Sequence, residues 1–128
     1  MIDDDQDILA VTKAVVESHG FEFVGALSGE EGLAKIPEVR PDAVILDVMM
    51  EDETAGFRVL NAIRMAEDSS PLAQFKDMPL VMLTGAQQKL KVELERKAGS
   101  PLLPTDAFLA KPVDPAQLVE TLTRILAD

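Results

Sequence analysis

The sequence predicts an α/β domain built on a parallel sheet with helices on both faces. Short apolar runs alternate along the chain with longer stretches of helical periodicity, which is the pattern of βα units. Two runs, Ala43–Leu46 and Leu80–Leu83, are apolar at every position, as central strands buried on both faces require. Five such units fit within 128 residues, a length that favours one domain, 1–128, over two.

The chain opens with a remnant of a strand. Met1-Ile2 is too short for a full central strand. The first helix follows, and the spacing of Ile8, Val11 and Val15 predicts its apolar face.

The next unit has its own strand and helix signals. Phe21–Ala26 is predicted to be a less protected strand. Ser28 and Glu31 have the spacing of a capping box, so a helix is predicted to begin at that serine.

The second half of the chain continues the alternation. The charge spacing in Lys89–Glu95 and the need for a crossover between parallel strands favour a helix there, although its period-two pattern favours a strand. Ala107–Ala110 is predicted to be a strand. Asp114-Pro115 then marks the start of a last helix, whose apolar face is Leu118, Leu122, Ile125 and Leu126.

Charge and composition exclude several functions. Lys and Arg number 12 against 23 Asp and Glu, a formal net charge of −11 that repels nucleic acid. The chain has no cysteine, which excludes disulfides, thiolate catalysis and zinc–thiolate or iron–sulfur sites. No secretory signal or membrane-spanning run is visible, so we expect no membrane insertion and a cytoplasmic protein.

Polar residues follow the predicted strands at their carboxyl ends, where doubly wound sheets bind ligands. Carboxylates gathered there repel each other, by about 4 kcal/mol for two charges 4 Å apart at an effective dielectric of ~20. Mg²⁺ would offset this repulsion, and an ammonium and a hydroxyl would complete a pocket in which a carboxylate attacks a phosphoryl group. The residues at these strand ends are Asp3, Asp4, Asp5, Asp47, Thr84 and Lys111.

Four short blocks, in order and each at a predicted strand end, resemble the two-component response regulator receiver domain over nearly the whole chain. The resemblance implies a flavodoxin-like, doubly wound sheet of five parallel strands in the order 2-1-3-4-5 with five helices, its first strand truncated here. The blocks are Asp3-Asp4, Leu46-Asp47, Leu83-Thr84-Gly85 and Ala110-Lys111-Pro112.

The resemblance also implies the chemistry of individual acidic residues. Asp47 would be the phosphoacceptor and would take its phosphoryl group from a histidine kinase or phosphotransfer protein. Asp4, Asp47 and the backbone carbonyl of Met49 would hold Mg²⁺. Asp3 would bind the cation through water or help to position it.

Further residues would stabilise and report the phosphorylated state. Lys111 would pair with phosphoryl oxygens, and its bond to Pro112 would be cis. Thr84 would move toward the phosphoryl group, and Phe108 would change rotamer, although a plain core role for that phenylalanine stays open. The readout would be a face made by the family's fourth helix, fifth strand and fifth helix, which would bind a downstream target or effector domain or form a phosphorylation-dependent homodimer.

The chain departs from the family pattern at several points. Either residues before Met1 complete the first strand or the strand order differs. Thr84 follows Asp47 by 37 residues and Lys111 follows Thr84 by 27, both longer than usual, with the extra length in 65–78 and 99–104. Met49 and Ala86 stand where receivers influence hydrolysis, and their apolar side chains predict slow dephosphorylation.

Two other functions stay open at this point. The chain could be a degenerate receiver that acts as a phosphorylation-independent interaction module. It could also be a small phosphatase with an aspartyl nucleophile, although such enzymes want an acid at the position of Met49. We expect a phosphoacceptor signalling switch and not a turnover enzyme.

Overall fold

The computed structural model describes residues 1–48, 55–84, 107–111 and 113–126. The predictions for Lys89–Glu95, Met49, Ala86, Pro112 and the segment 99–104 lie outside these residues. In chain order the described elements are α1 (Gln6–Glu17), α2 (Gly29–Val39), β1 (Val44–Asp47), α3 (Ala55–Arg64), a 3-10 helix (Ala73–Phe75), β2 (Leu80–Thr84), β3 (Ala107–Ala110) and α4 (Pro115–Leu126).

The described strands form a parallel sheet in the order β1-β2-β3. Val44 pairs with Leu80, and Val81 pairs with Ala107, so the three strands end at one edge. The α/β class and the parallel sheet are therefore confirmed. Four α-helices lie in the described part of the chain, and the count of five helices stays a prediction.

Ile2 extends the sheet beyond β1 by single residue pairs. It forms isolated parallel bridges to Ala26 on one side and to Leu46 on the other. The prediction of a regular strand over Phe21–Ala26 is wrong, because only Ala26 is paired there. The reason is that Met1-Ile2, the segment that pairs with Ala26, is too short to pair with the rest of 21–26. Five full strands in the order 2-1-3-4-5 stay a prediction.

Alternation along the strands divides the core into two clusters. Leu46 and Met82 face one side of the sheet, where they pack with buried side chains of α2 and α3. Val81 and Leu83 face the other side and pack with side chains of α1 and α4. Helices thus cover both faces, which explains why the strand sequences are apolar throughout.

The predicted face of α1 is wrong. Its buried residues are Leu9, Thr12 and Val16, and Val11 is 60% exposed. The two stripes have the same helical spacing and lie one residue apart, so periodicity alone could not choose between them. Packing against the sheet buries the stripe that includes Val16.

The predicted helix starts are confirmed in position. Ser28 is the N-cap of α2, and its Oγ accepts the N–H of Glu31 at 3.1 Å. The Glu31 carboxylate accepts the N–H of Leu27, also at 3.1 Å, and so satisfies a donor one residue earlier than a standard capping box. Asp114 accepts the N–H of Ala116 at 2.9 Å before α4.

The longer segment 65–78 folds against the body of the domain. Phe75 and Met78 belong to the core cluster beneath α2 and α3. Arg64 donates to the carbonyls of Lys76 at 2.6 Å and Met78 at 2.7 Å, which fixes the segment before β2 begins. This segment leads into the amino end of β2, the end opposite Thr84.

Candidate functional site

Backbone hydrogen bonds bring the first acidic residues to the carboxyl edge of the sheet. The N–H of Asp3 donates to the carbonyl of Ala26 at 3.0 Å, and the N–H of Asp47 donates to the carbonyl of Ile2 at 2.9 Å. Asp3 therefore follows the short bridge in the same way that Asp47 ends β1. Both carboxylates leave the sheet at one edge.

Three carboxylates meet at this edge. Each of Asp3, Asp4 and Asp47 has an oxygen within 4.8 Å of the others. Asp3 is 0% exposed and Asp47 is 3% exposed, whereas Asp4 is exposed. We call these three residues the acidic cluster.

Lys111 closes the cluster from the end of β3. Its Nζ lies 2.9 Å from Oδ1 of Asp47 and 3.5 Å from Oδ2 of Asp3. Burial lowers the pKa of Lys111, but the hydrogen bond to Asp47 and the charges of both aspartates outweigh it, so this pKa lies above its ordinary value. The ammonium is therefore firmly charged beside the cluster.

Asp5 does not join the acidic cluster. Its Oδ1 accepts the N–H of Asp7 at 2.9 Å and that of Ile8 at 3.3 Å, which makes it the N-cap of α1. Its own N–H donates to Oδ1 of Asp3 at 3.0 Å. The two oxygens of Asp3 thus connect the helix start to Lys111.

For two of the remaining predicted site residues, Thr84 and Phe108, the structure describes the position of the backbone. Thr84 ends β2 and pairs with Ala110, the residue before Lys111, so Thr84 and Lys111 stand at neighbouring strand ends. Phe108 pairs with Met82 in the middle of β3. The roles predicted for Thr84 and Phe108 stay predictions, and the Met49 carbonyl and the Lys111–Pro112 bond lie outside the described residues.

Gly56 is a residue of this region that the sequence analysis did not assign to the site. Its N–H donates to the carbonyl of Val48 at 2.8 Å. A Cβ at this position would lie 2.5 Å from Val48 Cα and 2.7 Å from the carbonyl oxygen of Asp47. The sequence signal for this role was a glycine at a predicted helix start, soon after the end of a buried strand. Only glycine permits so close an approach of the helix to the strand end.

These features agree with a comparison of the sequence with protein families. The sequence profile described as "Response regulator receiver domain" matches residues 1–123. The chain belongs to this receiver family. Its relatives are response regulators of two-component signalling systems.

Curated relatives place the receiver in proteins of two sizes. PilH of Pseudomonas aeruginosa is 24% identical over 127 residues, which cover 99% of this chain and 95% of PilH. The transcriptional regulatory protein PrrA of Mycobacterium leprae is 30% identical over 126 residues, or 98% of this chain and 48% of PrrA. The receiver thus spans about half the length of the PrrA relatives.

Solved structures support the same fold. The chemotaxis response regulator CheY4 of Vibrio cholerae is similar with a TM-score of 0.76 and 31% identity, over 97% of this receiver and 93% of that chain. A CheY-like receiver domain protein of Methanospirillum hungatei has a TM-score of 0.74 and 28% identity, over 98% and 89%. Among the described residues, no helix of the receiver is both long and apolar enough for a membrane crossing.

Proposed function

We propose that this receiver is a phosphorylation switch in which Asp47 accepts a phosphoryl group. The observation that carries the proposal is the position of Lys111, whose ammonium lies 2.9 Å from the Asp47 carboxylate inside a cluster of three acidic side chains. A carboxylate nucleophile and a fixed cation at one sheet edge are the groups that phosphoryl transfer requires.

The acidic cluster fits a divalent cation. Three carboxylates approach within 4.8 Å, and Lys111 supplies a single positive charge against Asp3 and Asp47. Hard carboxylate oxygens are the donors that Mg²⁺ takes. Asp4, Asp47 and the Met49 carbonyl would hold the ion, with Asp3 positioning it. When bound, Mg²⁺ supplies positive charge to the oxygens of the incoming phosphoryl group.

The residues of the chain divide the transfer between them. A carboxylate oxygen of Asp47 forms a bond to phosphorus while the phosphorus–nitrogen bond of a donor phosphohistidine breaks, and the imidazole keeps the electron pair. Lys111 pairs with the phosphoryl oxygens, and the burial of Asp47 limits the access of water to the reacting oxygen. The product is an aspartyl phosphate.

The donor and the readout belong to the same proposal. A histidine kinase or phosphotransfer protein supplies the phosphoryl group in the cytoplasm. Thr84 moves toward the modified Asp47, and Phe108 follows it. The pairing of Thr84 with Ala110, next to Lys111, supports this coupling because a shift at one strand end reaches its neighbour. A downstream protein, an effector domain or a second receiver would bind the altered face.

The test is the intact mass of the protein after incubation with acetyl phosphate or phosphoramidate, with and without Mg²⁺. We expect the mass of one phosphoryl group to be gained with Mg²⁺ and the gain to be abolished by Asp47→Asn. Asp42→Asn is the matched control, because Asp42 is exposed and lies outside the acidic cluster. An equal gain in Asp47→Asn would refute the assignment, and no gain in the native chain would favour an interaction module that works without phosphorylation.

A further inference from the structure

Asp5 stands beside the acidic cluster and is not a member of it. Its side chain caps α1, because Oδ1 accepts the N–H of Asp7 at 2.9 Å and that of Ile8 at 3.3 Å. Its backbone carbonyl accepts the N–H of Leu9 at 3.1 Å, which is the first hydrogen bond of the helix. The carboxylate of Asp5 therefore belongs to the helix start and not to the proposed cation site.

The backbone N–H of Asp5 contacts the cluster instead. It donates to Oδ1 of Asp3 at 3.0 Å. Asp3 is 0% exposed, and its other oxygen, Oδ2, lies 3.5 Å from Nζ of Lys111. A buried carboxylate is costly unless donors or a cation reach its oxygens. The N–H of Asp5 thus stabilises Asp3 and determines which of its oxygens faces the lysine.

Asp4 lies between two residues whose backbones are held by hydrogen bonds. Before it, the N–H of Asp3 donates to the carbonyl of Ala26 at 3.0 Å. After it, the N–H, the carbonyl and the carboxylate of Asp5 are all bonded. The cap therefore fixes the backbone from which Asp4 projects. An oxygen of Asp4 lies within 4.8 Å of carboxylate oxygens of the other two members of the cluster.

The change of chain direction occurs at Asp5 itself. Its backbone is extended, with φ −98° and ψ 110°, and α1 begins at the next residue. An N-cap side chain holds this geometry by accepting the orphan N–H groups of the first turn. Without the cap the first turn can fray, and the N–H that bonds Asp3 would no longer be held in place.

Asp5 also carries a negative charge, which is a second property that bears on a nearby cation. Among the described acidic residues, the group whose oxygens approach within 4.8 Å does not include Asp5. The charge of an exposed carboxylate acts on a neighbouring ion through water, where salt screens it. The hydrogen bonds to α1 and to Asp3 are direct and short. They favour the cap over the charge as the main contribution of this residue.

We propose that Asp5 is a positioning residue for the cation site: by capping α1 it holds its own N–H on Asp3 and orients Asp4 toward Mg²⁺. Replacing residues that orient metal ligands without touching the ion typically lowers metal affinity by roughly 10- to 100-fold. The inference rests on the proposed function, because the cation that Asp5 helps to place is the one used in phosphoryl transfer to Asp47.

The test is the dissociation constant of Mg²⁺, measured by NMR titration of the full chain with MgCl₂. Asp5→Asn and Asp5→Ala both remove the charge, and only the asparagine keeps an oxygen that can cap the helix. We expect the alanine variant to bind Mg²⁺ about tenfold more weakly than the asparagine variant. Without Mg²⁺, the amide of residue 5 should also exchange hydrogen faster in the alanine variant, because its bond to Asp3 is loosened.

Ser28→Ala is the control for the loss of a helix cap. Ser28 caps α2 by accepting the N–H of Glu31 at 3.1 Å, and it lies outside the acidic cluster. We expect this variant to lower the unfolding temperature by about 4 °C, as Asp5→Ala does. The dissociation constant of Mg²⁺ should stay at its native value in Ser28→Ala.

Two results would overturn the proposal. One is an equal dissociation constant of Mg²⁺ in Asp5→Asn and Asp5→Ala, and the other is an equal loss of affinity in Ser28→Ala and Asp5→Ala. Either result leaves the proposed function in place as long as the native chain binds Mg²⁺ and gains the phosphoryl mass. A native chain that does neither would contradict the proposed function, and this inference with it.

Discussion

Lys111 balances the buried carboxylates of the receiver. Its Nζ contacts Asp47 at 2.9 Å and Asp3 at 3.5 Å, and its side chain is 28% exposed. Removing one partner from a largely buried ion pair leaves charge that water cannot reach. We therefore expect Lys111 to stabilise the acidic cluster when Mg²⁺ is absent.

We expect Lys111→Met to lower the free energy of unfolding by about 2 kcal/mol near neutral pH. Lys76→Met is the control, because Lys76 pairs with a fully exposed Asp68 at 3.3 Å, and such pairs contribute less than about 1 kcal/mol. Urea unfolding measures both. Equal losses in the two variants would contradict the role given to Lys111.

The pKa of Lys111 sets the pH dependence of that loss. Because the folded protein holds this pKa above its ordinary 10.5, folding favours the charged form. The stabilisation is complete below pH 10.5 and disappears as the pH rises through the folded-state pKa. The difference in the free energy of unfolding between the native chain and Lys111→Met should therefore stay constant from neutral pH to about pH 10.5 and narrow above that pH. A difference that narrows on acidification through neutral pH would show that another group controls it.

We expect Asp4→Asn to stabilise the protein in buffer without divalent cations. Asp4 is the exposed member of the cluster, so the repulsion relieved is near the water limit of about 1 kcal/mol. MgCl₂ should then raise the unfolding temperature of the native chain but not that of Asp4→Asn. Asp68→Asn is the control and should keep the full response to MgCl₂. A full response in Asp4→Asn would remove Asp4 from the proposed cation site.

At the residue scale, sequence reasoning identified which residues meet. Six residues were predicted at one sheet edge from their positions after strands, and the structure brings four of them, Asp3, Asp4, Asp47 and Lys111, together. Thr84 ends the neighbouring strand, and Asp5 caps α1 instead of joining the cluster. The capping role of Asp5 was not foreseen, because three consecutive aspartates give no sign of which one begins the helix. The roles of the clustered aspartates and of Lys111 in phosphoryl transfer stay predictions.

At the element scale, the close approach of α3 to the end of β1 positions the acidic cluster. Gly56 is the point of contact, since its N–H bonds to Val48 directly after Asp47. Sequence patterns placed β1, β2 and β3 within a residue of their observed bounds, because buried strands are apolar throughout. They misjudged the face of α1, because two stripes with equal spacing differ only in their tertiary contacts.

We expect Gly56→Ala to lower the free energy of unfolding by about 2 kcal/mol, despite the better helix propensity of alanine. The new Cβ would meet backbone atoms of Val48 at 2.5 Å and 2.6 Å, which cannot move without shifting β1 or α3. At Gly25, the control position, a Cβ would meet side chains of Phe23 and Leu9 at 3.3 Å and 3.4 Å. Gly25→Ala should cost less, and a cost equal to that of Gly56→Ala in urea unfolding would argue against the backbone contact.

At the scale of the whole molecule, the described part of the fold places the acidic cluster at one edge of the sheet and buries two apolar clusters between the sheet and its helices. The α/β class followed from the alternation of buried strands with helices. The regular strand predicted over 21–26 failed because a strand needs a partner, and Met1-Ile2 pairs with only the end of that segment. Local patterns do not contain that information.

The proposed switch also predicts a lifetime for the phosphorylated molecule. We expect Met49 and Ala86, which follow Asp47 and Thr84 by two residues, to stand at positions that influence hydrolysis in receivers, and neither apolar side chain can orient an attacking water. We therefore expect the aspartyl phosphate to persist for minutes or longer after the phosphodonor is removed. Its decay is measured by the intact mass of the protein over time. Decay within seconds would contradict this expectation, and Met49→Asn should shorten the lifetime if the apolar side chain is the cause.

The most direct measurement of the central claim is chemical trapping of the phosphorylated residue. The protein is incubated with phosphoramidate and Mg²⁺ and reduced with borohydride, which converts an acyl phosphate to an alcohol, and its peptides are sequenced by mass spectrometry. We expect the reduced residue at position 47 and an unmodified residue there when Mg²⁺ is withheld. Reduction at Asp3 or Asp4 with Asp47 intact would contradict it.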